Sequence, residues 1–192
     1  MRSKPEIATE RLLLRLPEPG DVPALVRYFA ENREHLAPSR PRMPETFYTH
    51  AFWAAQVPAA RAEYESDVSL RLFMFEKGGD GRVVGNANFT NFVRGPGQYC
   101  TVGYGLDRAC EGRGLMTEGL RGAIDFVFRE LNMHRVMANY MPHNRRSGAV
   151  LRRLGFTVDG YARDYLMLDG KWEDHILTSL LNPAWRPPAT LG

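Results

Sequence analysis

The sequence predicts a mixed, mostly antiparallel α/β (α+β) sheet with helices on both faces. Three observations predict it. Residues 69–106 read as strands joined by glycine-rich turns, the signature of an antiparallel meander. Beyond Gly112, strand-like and helix-like segments alternate. The 192 residues, 44% of them hydrophobic, are enough for one well-filled core, and no linker or internal repeat divides them. A single domain over residues 1–192 is therefore expected, with the proline-tinged segment 183–192 as a terminal extension.

The elements follow in order. Arg11 to Leu16 alternates as a strand, stopped by Pro17 and Pro19. Asp21 has the position of an N-cap, Pro23 sits in the first turn, and Val22, Leu25, Val26 and Phe29 share one face, giving a helix over 22–33. Residues 37–44 hold three prolines and form a loop. A helix is expected over 45–65, broken at Pro58. Strands at 69–76, 82–91 and 98–106 are separated by Gly78-Gly79-Asp80-Gly81 and Gly95-Pro96-Gly97. Met116, Leu120, Ile124, Val127 and Leu131 recur at helical spacing after Gly112-Arg113-Gly114. A strand at 135–140 is followed by a helix that starts at Asn144 and ends at Gly155. Strands near 161–168 and at 171–181, turned by Asp169-Gly170, close the chain.

Composition narrows the function. With 25 basic and 22 acidic residues the net charge is +3, which excludes a disordered polyanion and falls short of a dedicated nucleic-acid binder. No DNA partner is expected. Only Lys4, Lys77 and Lys171 are lysines; the other cations are arginines, the better forks for phosphate. Cys100 and Cys110 have no ligand pattern and suit a reducing cytoplasm as buried thiols. His35, His50, His134, His143 and His175 are scattered without metal spacing, so no metal is expected. The charged first residues are not a signal peptide, and no apolar run approaches the ~20 residues of a membrane helix. A cytoplasmic protein is expected. The aromatic set Phe47, Phe52, Trp53 and Tyr64 reads as core packing.

Two segments carry chemistry. Gly103-Tyr104-Gly105-Leu106 ends a strand, and Glu111-Gly112-Arg113-Gly114-Leu115-Met116-Thr117-Glu118 opens a helix. Free amides at a helix start, with the helix dipole and small residues, make an anion site suited to a pyrophosphate. It is neither a P-loop, lacking Gly-Lys-Ser/Thr, nor a dinucleotide fingerprint. Alone, the glycine loop reads more readily as an ordinary loop with glycine at the helix start. The second segment, Tyr140-Met141-Pro142-His143-Asn144-Arg145-Arg146-Ser147, runs from strand into helix, with Asn144 at N-cap and Ser147 at N3.

Together these segments resemble the GNAT superfamily of acetyl-CoA-dependent N-acetyltransferases, from Thr9-Glu10-Arg11-Leu12 to Asn182-Pro183. Three longer stretches, 87–95, 137–144 and 164–175, resemble its RimJ branch of ribosomal-protein alanine N-acetyltransferases. The resemblance implies a GNAT-type domain with a splayed strand pair and acetyl-CoA as donor. The implied acceptor is the α-amino group of a protein N-terminus, with a small-subunit ribosomal protein as partner and a possible contact with the ribosome. It places the coenzyme at Tyr104, Gly105, Leu106, Gly112 to Thr117, Asn144, Arg146 and Ser147, with Arg113 among the phosphate neutralisers. It places the peptide groove at Tyr28, Asn32, Arg33, His35 and Leu36, with Asn88.

Ser147 is the expected proton donor to the departing sulfur. A sister branch has a glutamate base near residue 166, where this chain has Leu166; Asp164 or an ordered water is the expected base, and a strand-edge ion pair is the competing reading of Asp164. Glu111 departs from the family's Gln/Arg, and its carboxylate is expected to point away from the pyrophosphate. Two other functions fit the same residues: acetylation of a small amine or antibiotic, and ribosome assembly by a GNAT-fold factor.

Overall fold

The computed structural model describes residues 3–188. Among these residues eight strands form one sheet. They are β1 (Glu6–Ala8), β2 (Leu12–Arg15), β3 (Leu70–Glu76), β4 (Val83–Val93), β5 (Tyr99–Leu106), β6 (Arg135–Tyr140), β7 (Thr157–Leu168) and β8 (Lys171–Leu181). Their order is β1-β2-β3-β4-β5-β6-β8-β7. Every pairing is antiparallel except that of β5 with β6. The α-helices are α1 (Val22–Glu31), α2 (Arg33–Leu36), α3 (His50–Glu65), α4 (Leu115–Arg129) and α5 (Arg145–Arg153).

Strand alternation splits the apolar residues between two cores. Leu70, Leu72 and Met74 of β3 face α4, whose Leu115, Leu120, Ile124 and Val127 supply the period-3.6 stripe. Phe73 and Phe75 of β3 face the other way, onto α1 and α3. There Trp53 stacks on Phe29 at 4.7 Å, and Phe47 meets both edge-on. Phe47, Trp53 and Tyr64 are buried as expected. So are both cysteines; burial pushes the Cys100 thiol up to about 12, leaving it protonated and inert.

Several local expectations are corrected. α3 starts at His50, after a 3₁₀ turn over Glu45–Tyr48, and runs through Pro58 without a break. Proline removes one backbone donor, but Trp53, Val57, Ala60 and Tyr64 anchor the helix on both sides of it. Asp21 precedes α1 but its side chain makes no cap bond. It forks instead with Arg15 at 2.6 and 2.8 Å and accepts from the Glu18 amide. β1, a three-residue edge strand, is too short for the alternation test. The expected loop at 37–44 begins with a 3₁₀ turn over Ala37–Ser39.

Past β8 the chain returns to the body. Asn182 donates to the carbonyls of Phe128 and Met133, and Trp185 Nε1 donates to the Asn132 carbonyl. Of the expected extension 183–192, residues 189–192 lie outside the described residues.

Candidate active site

The site is made by a strand pair that stops pairing. β5 and β6 share three parallel rungs, Tyr99–Arg135, Cys100–Val136 and Thr101–Met137. Beyond them each strand is held only from its outer side. β4 pairs with Val102 through Leu106, and β8 pairs with Ala138 through Tyr140. The inner backbone edges are thus free to bond an extended ligand, as the open edge of a sheet does. A cleft of about 1240 Å³ runs along this opening, with Tyr104, Gly105 and Leu106 on one wall and Met141, Asn144 and Ser147 on the other.

At one end of the cleft lies the loop before α4. Gly112 and Gly114 have φ of +74° and +78°, which L side chains rarely adopt. The first backbone bond of α4 runs from the Glu118 amide to the Gly114 carbonyl. The amides of Leu115, Met116 and Thr117 therefore precede the helical ladder, the arrangement that binds anions. Leu115 and Met116 are buried in the core, and both border the cleft. The loop is fixed from outside. Glu118 accepts from Thr9 Oγ1 at 2.6 Å and from the Arg11 amide at 2.7 Å, and pairs with the Arg11 guanidinium at 2.6 Å. Arg11 also donates to the Arg113 carbonyl.

At the other wall Asn144 caps α5, accepting from the Ser147 amide at 3.1 Å. The cap turns the Ser147 hydroxyl to the Tyr104 hydroxyl, 2.7 Å away. Burial pushes the Tyr104 phenol up to about 12, against the opposing hydrogen bond to Ser147. Tyr104 is therefore a protonated donor at neutral pH.

Not every expected residue joins this cleft. Arg113 turns outward and pairs with Glu76 at 2.6 Å, because the positive φ on either side points its side chain to the β3 end. Glu111 does not point away: it lines the cleft, pairing with Arg146 at 2.5 Å and facing His35 Nε2 at 3.5 Å. The Arg146 guanidinium offsets its charge, which is how an acidic residue sits beside an anion site. Tyr28 and Asn32 are buried and already bonded. Tyr28 Oη donates to Asn86, while Asn32 donates to the Tyr28 carbonyl and accepts from the Arg108 amide. They pin α1 to β4 and to the turn leading into the pyrophosphate loop. His35 and Leu36 remain at the cleft.

Asp164 is exposed, in a register shift of β7, with its amide donating to Asp174. The bulge turns it to solvent, away from the cleft, so it is not placed to take a proton there. Asn88, Asn139 and the buried His175 share the sheet face opposite Tyr104; the last two were not singled out by sequence. Polar residues at alternate positions of otherwise apolar strands were the available signal. Among the described residues no group of three or more His, Cys, Asp and Glu could hold a metal ion, and no helix is long and apolar enough to cross a membrane.

Comparison with known proteins adds to this geometry. The acetyltransferase (GNAT) domain family matches residues 11–157. The chain belongs to the GNAT acetyltransferase family. This GNAT enzyme is 41% identical to the [ribosomal protein uS5]-alanine N-acetyltransferase of Escherichia coli (strain K12), over 96% of this chain and 94% of that protein. The crystal structure of the ribosomal-protein-S5-alanine acetyltransferase of Vibrio fischeri superposes with TM-score 0.91 at 34% identity, covering 95% of this chain and all of that one. Mycobacterium smegmatis RimJ in complex with CoA-disulfide superposes with TM-score 0.83 at 26% identity, over 93% and 86%. GNAT enzymes take acetyl-CoA as donor, and the residues here fit it. Free edges of β5 and β6 suit a pantetheine arm, and the unbonded amides at 115–117 suit its pyrophosphate.

Proposed function

We propose that this GNAT enzyme acetylates the α-amino group of a protein N-terminus in the cytoplasm, its target beginning with alanine and belonging to the small ribosomal subunit. The observation that supports this most is the 41% identity to an alanine N-acetyltransferase over nearly the full length of both chains. It is joined by the cleft that runs along the β5–β6 split.

In this reading bound acetyl-CoA supplies a thioester activated for attack by an amine. The amides after Gly114 hold the pyrophosphate, with Arg146 nearby for its charge, and Asn144 orients the pantetheine. Backbone amides at Tyr104 and Leu106 steady the charge that develops on the carbonyl oxygen. The amine loses a proton to solvent water as the new C–N bond forms and the C–S bond breaks; Ser147 Oγ gives its proton to the departing thiolate and recovers one from Tyr104 Oη, 2.7 Å away, which solvent then reprotonates. A protein α-amine has a pKa near ~8, so a useful fraction is neutral without a strong base. Proximity carries much of the acceleration. Transfer is direct, with no acyl-enzyme.

Three acceptors test the reading: a peptide beginning with Ala, the same peptide N-blocked, and a polyamine, each mixed with protein and acetyl-CoA. Thiol release with the free peptide alone is expected. Release with the polyamine alone would replace the proposal with a small-amine acetyltransferase.

A further inference from the structure

The cleft is lined by both helices that begin at the split, α4 and α5. Thr117 and Arg121 of α4 border it, four residues apart and so on one face of the helix. Arg146, Ala149, Val150 and Arg153 of α5 border it too, at the i, i+3, i+4 and i+7 spacing of one stripe. Each helix thus brings one arginine to the cleft beyond its first turn. At 1.5 Å of rise per residue, Arg121 stands about 6 Å along α4 from Thr117, and Arg153 about 10 Å along α5 from Arg146. Long side chains on a helix lean toward its N-terminus, and the first turns of α4 and α5 both line the cleft.

What sets these two arginines apart is that no carboxylate answers them. Arg11 pairs with Glu118 at 2.6 Å, Arg146 with Glu111 at 2.5 Å, and the outward Arg113 with Glu76 at 2.6 Å. Among the described residues the side chains of Arg121 and Arg153 make no ion pair and no hydrogen bond. Both are exposed. Two such cations on one cleft raise its positive potential and draw anions to it. The amides at 115–117 suit a diphosphate without them. Coenzyme A carries one further anion, the phosphate on the 3′ carbon of the ribose that follows its diphosphate.

We propose that Arg121 and Arg153 bind this 3′-phosphate from opposite helices, a subsite separate from the pyrophosphate loop, and that the chain thereby selects coenzyme A over its 3′-dephospho form. Guanidinium suits the task because its parallel N–H donors match two phosphate oxygens. The subsite also has a mechanical consequence. α4 follows β5 and α5 follows β6, so one phosphate held by both arginines bridges the two sides of the split outside the strands. The inference rests on acetyl-CoA as the GNAT donor, whichever amine accepts the acetyl group.

Titration calorimetry of the whole chain, with no acceptor present, tests this with coenzyme A and 3′-dephospho-coenzyme A. The parent protein is expected to bind coenzyme A about tenfold or more tightly than the dephospho form. Arg121→Gln and Arg153→Gln are each expected to weaken coenzyme A about tenfold and the dephospho form less than about threefold, so that the preference collapses. Both side chains are exposed, so each variant should keep the parent's thermal midpoint without ligand. Arg152→Gln, beside Arg153 but outside the cleft lining, should change either constant less than about twofold. Equal affinity of the parent protein for both ligands, or an equal effect on both ligands in Arg121→Gln or Arg153→Gln, overturns the inference alone. A chain that binds neither ligand overturns it together with the coenzyme cleft. The titration needs no acceptor, so a failure of the α-amine reading does not register in it.

Discussion

Ser147 is the residue on which the proton accounting turns, and its position is set by two neighbours: the Asn144 cap holds its amide and Tyr104 its hydroxyl. A proton donor positioned this way is worth about a hundredfold or more in rate. Ser147→Ala is therefore expected to lower kcat by about that factor while coenzyme affinity changes little, and Tyr104→Phe to lower it less, because solvent can return a proton to Ser147. Single-turnover rates with coenzyme titrations in parallel check both; a Ser147→Ala enzyme of full rate leaves Ser147 only its place in the helix start. The pair Asn144 and Ser147 was legible in sequence because cap and N3 stand at fixed local spacing. Tyr28 and Asn32 were not, because the partners that consume their polar groups lie 58 and 76 residues away. Arg113 was misplaced for the same reason: its charge is answered by Glu76, 37 residues back on β3.

At the scale of elements, the start of α4 is joined to the segment before β2 through one carboxylate. Glu118 is pushed upward by burial, yet the hydrogen bonds of Thr9 and Arg11 outweigh this and hold it below the usual glutamate range. A carboxyl depressed by folding adds stability above its unfolded pKa of ~4.3, and loses it as pH falls through the folded value. Glu118→Gln is expected to cost roughly 1–2 kcal/mol at neutral pH, and the gap to the parent protein should narrow below about pH 4. Urea midpoints measured across pH test this; a gap constant down to low pH would mean that the carboxylate charge contributes nothing to the clamp. The α4 helix itself was plain from its stripe of apolar residues at 3.6 spacing. The continuity of α3 through Pro58 was not legible, because the four buried side chains that hold the helix around it pack against residues outside the local pattern.

For the whole molecule, the split at β5–β6 divides the sheet into β1–β5 and β7–β8 with β6, joined by three rungs and by the chain through α4. The meander and the later alternation were visible as patterns, whereas the parting of two strands follows from pairings made far apart in sequence and reached the sequence reading only through family resemblance. A ligand that bonds both inner edges should tie the two parts together, so coenzyme binding ought to appear as global stability. At about 100 times its dissociation constant a ligand adds ~2.7 kcal/mol. In a chain of this size each kcal/mol moves Tm by roughly 2–4 °C, so a rise of about 5–10 °C is expected with coenzyme A. A peptide added without coenzyme should move Tm far less, since it meets neither the pyrophosphate loop nor the inner edges. A chain whose Tm ignores saturating coenzyme would place the donor somewhere other than this cleft, and the roles given to the amides at 115–117 and to Ser147 would fall with it.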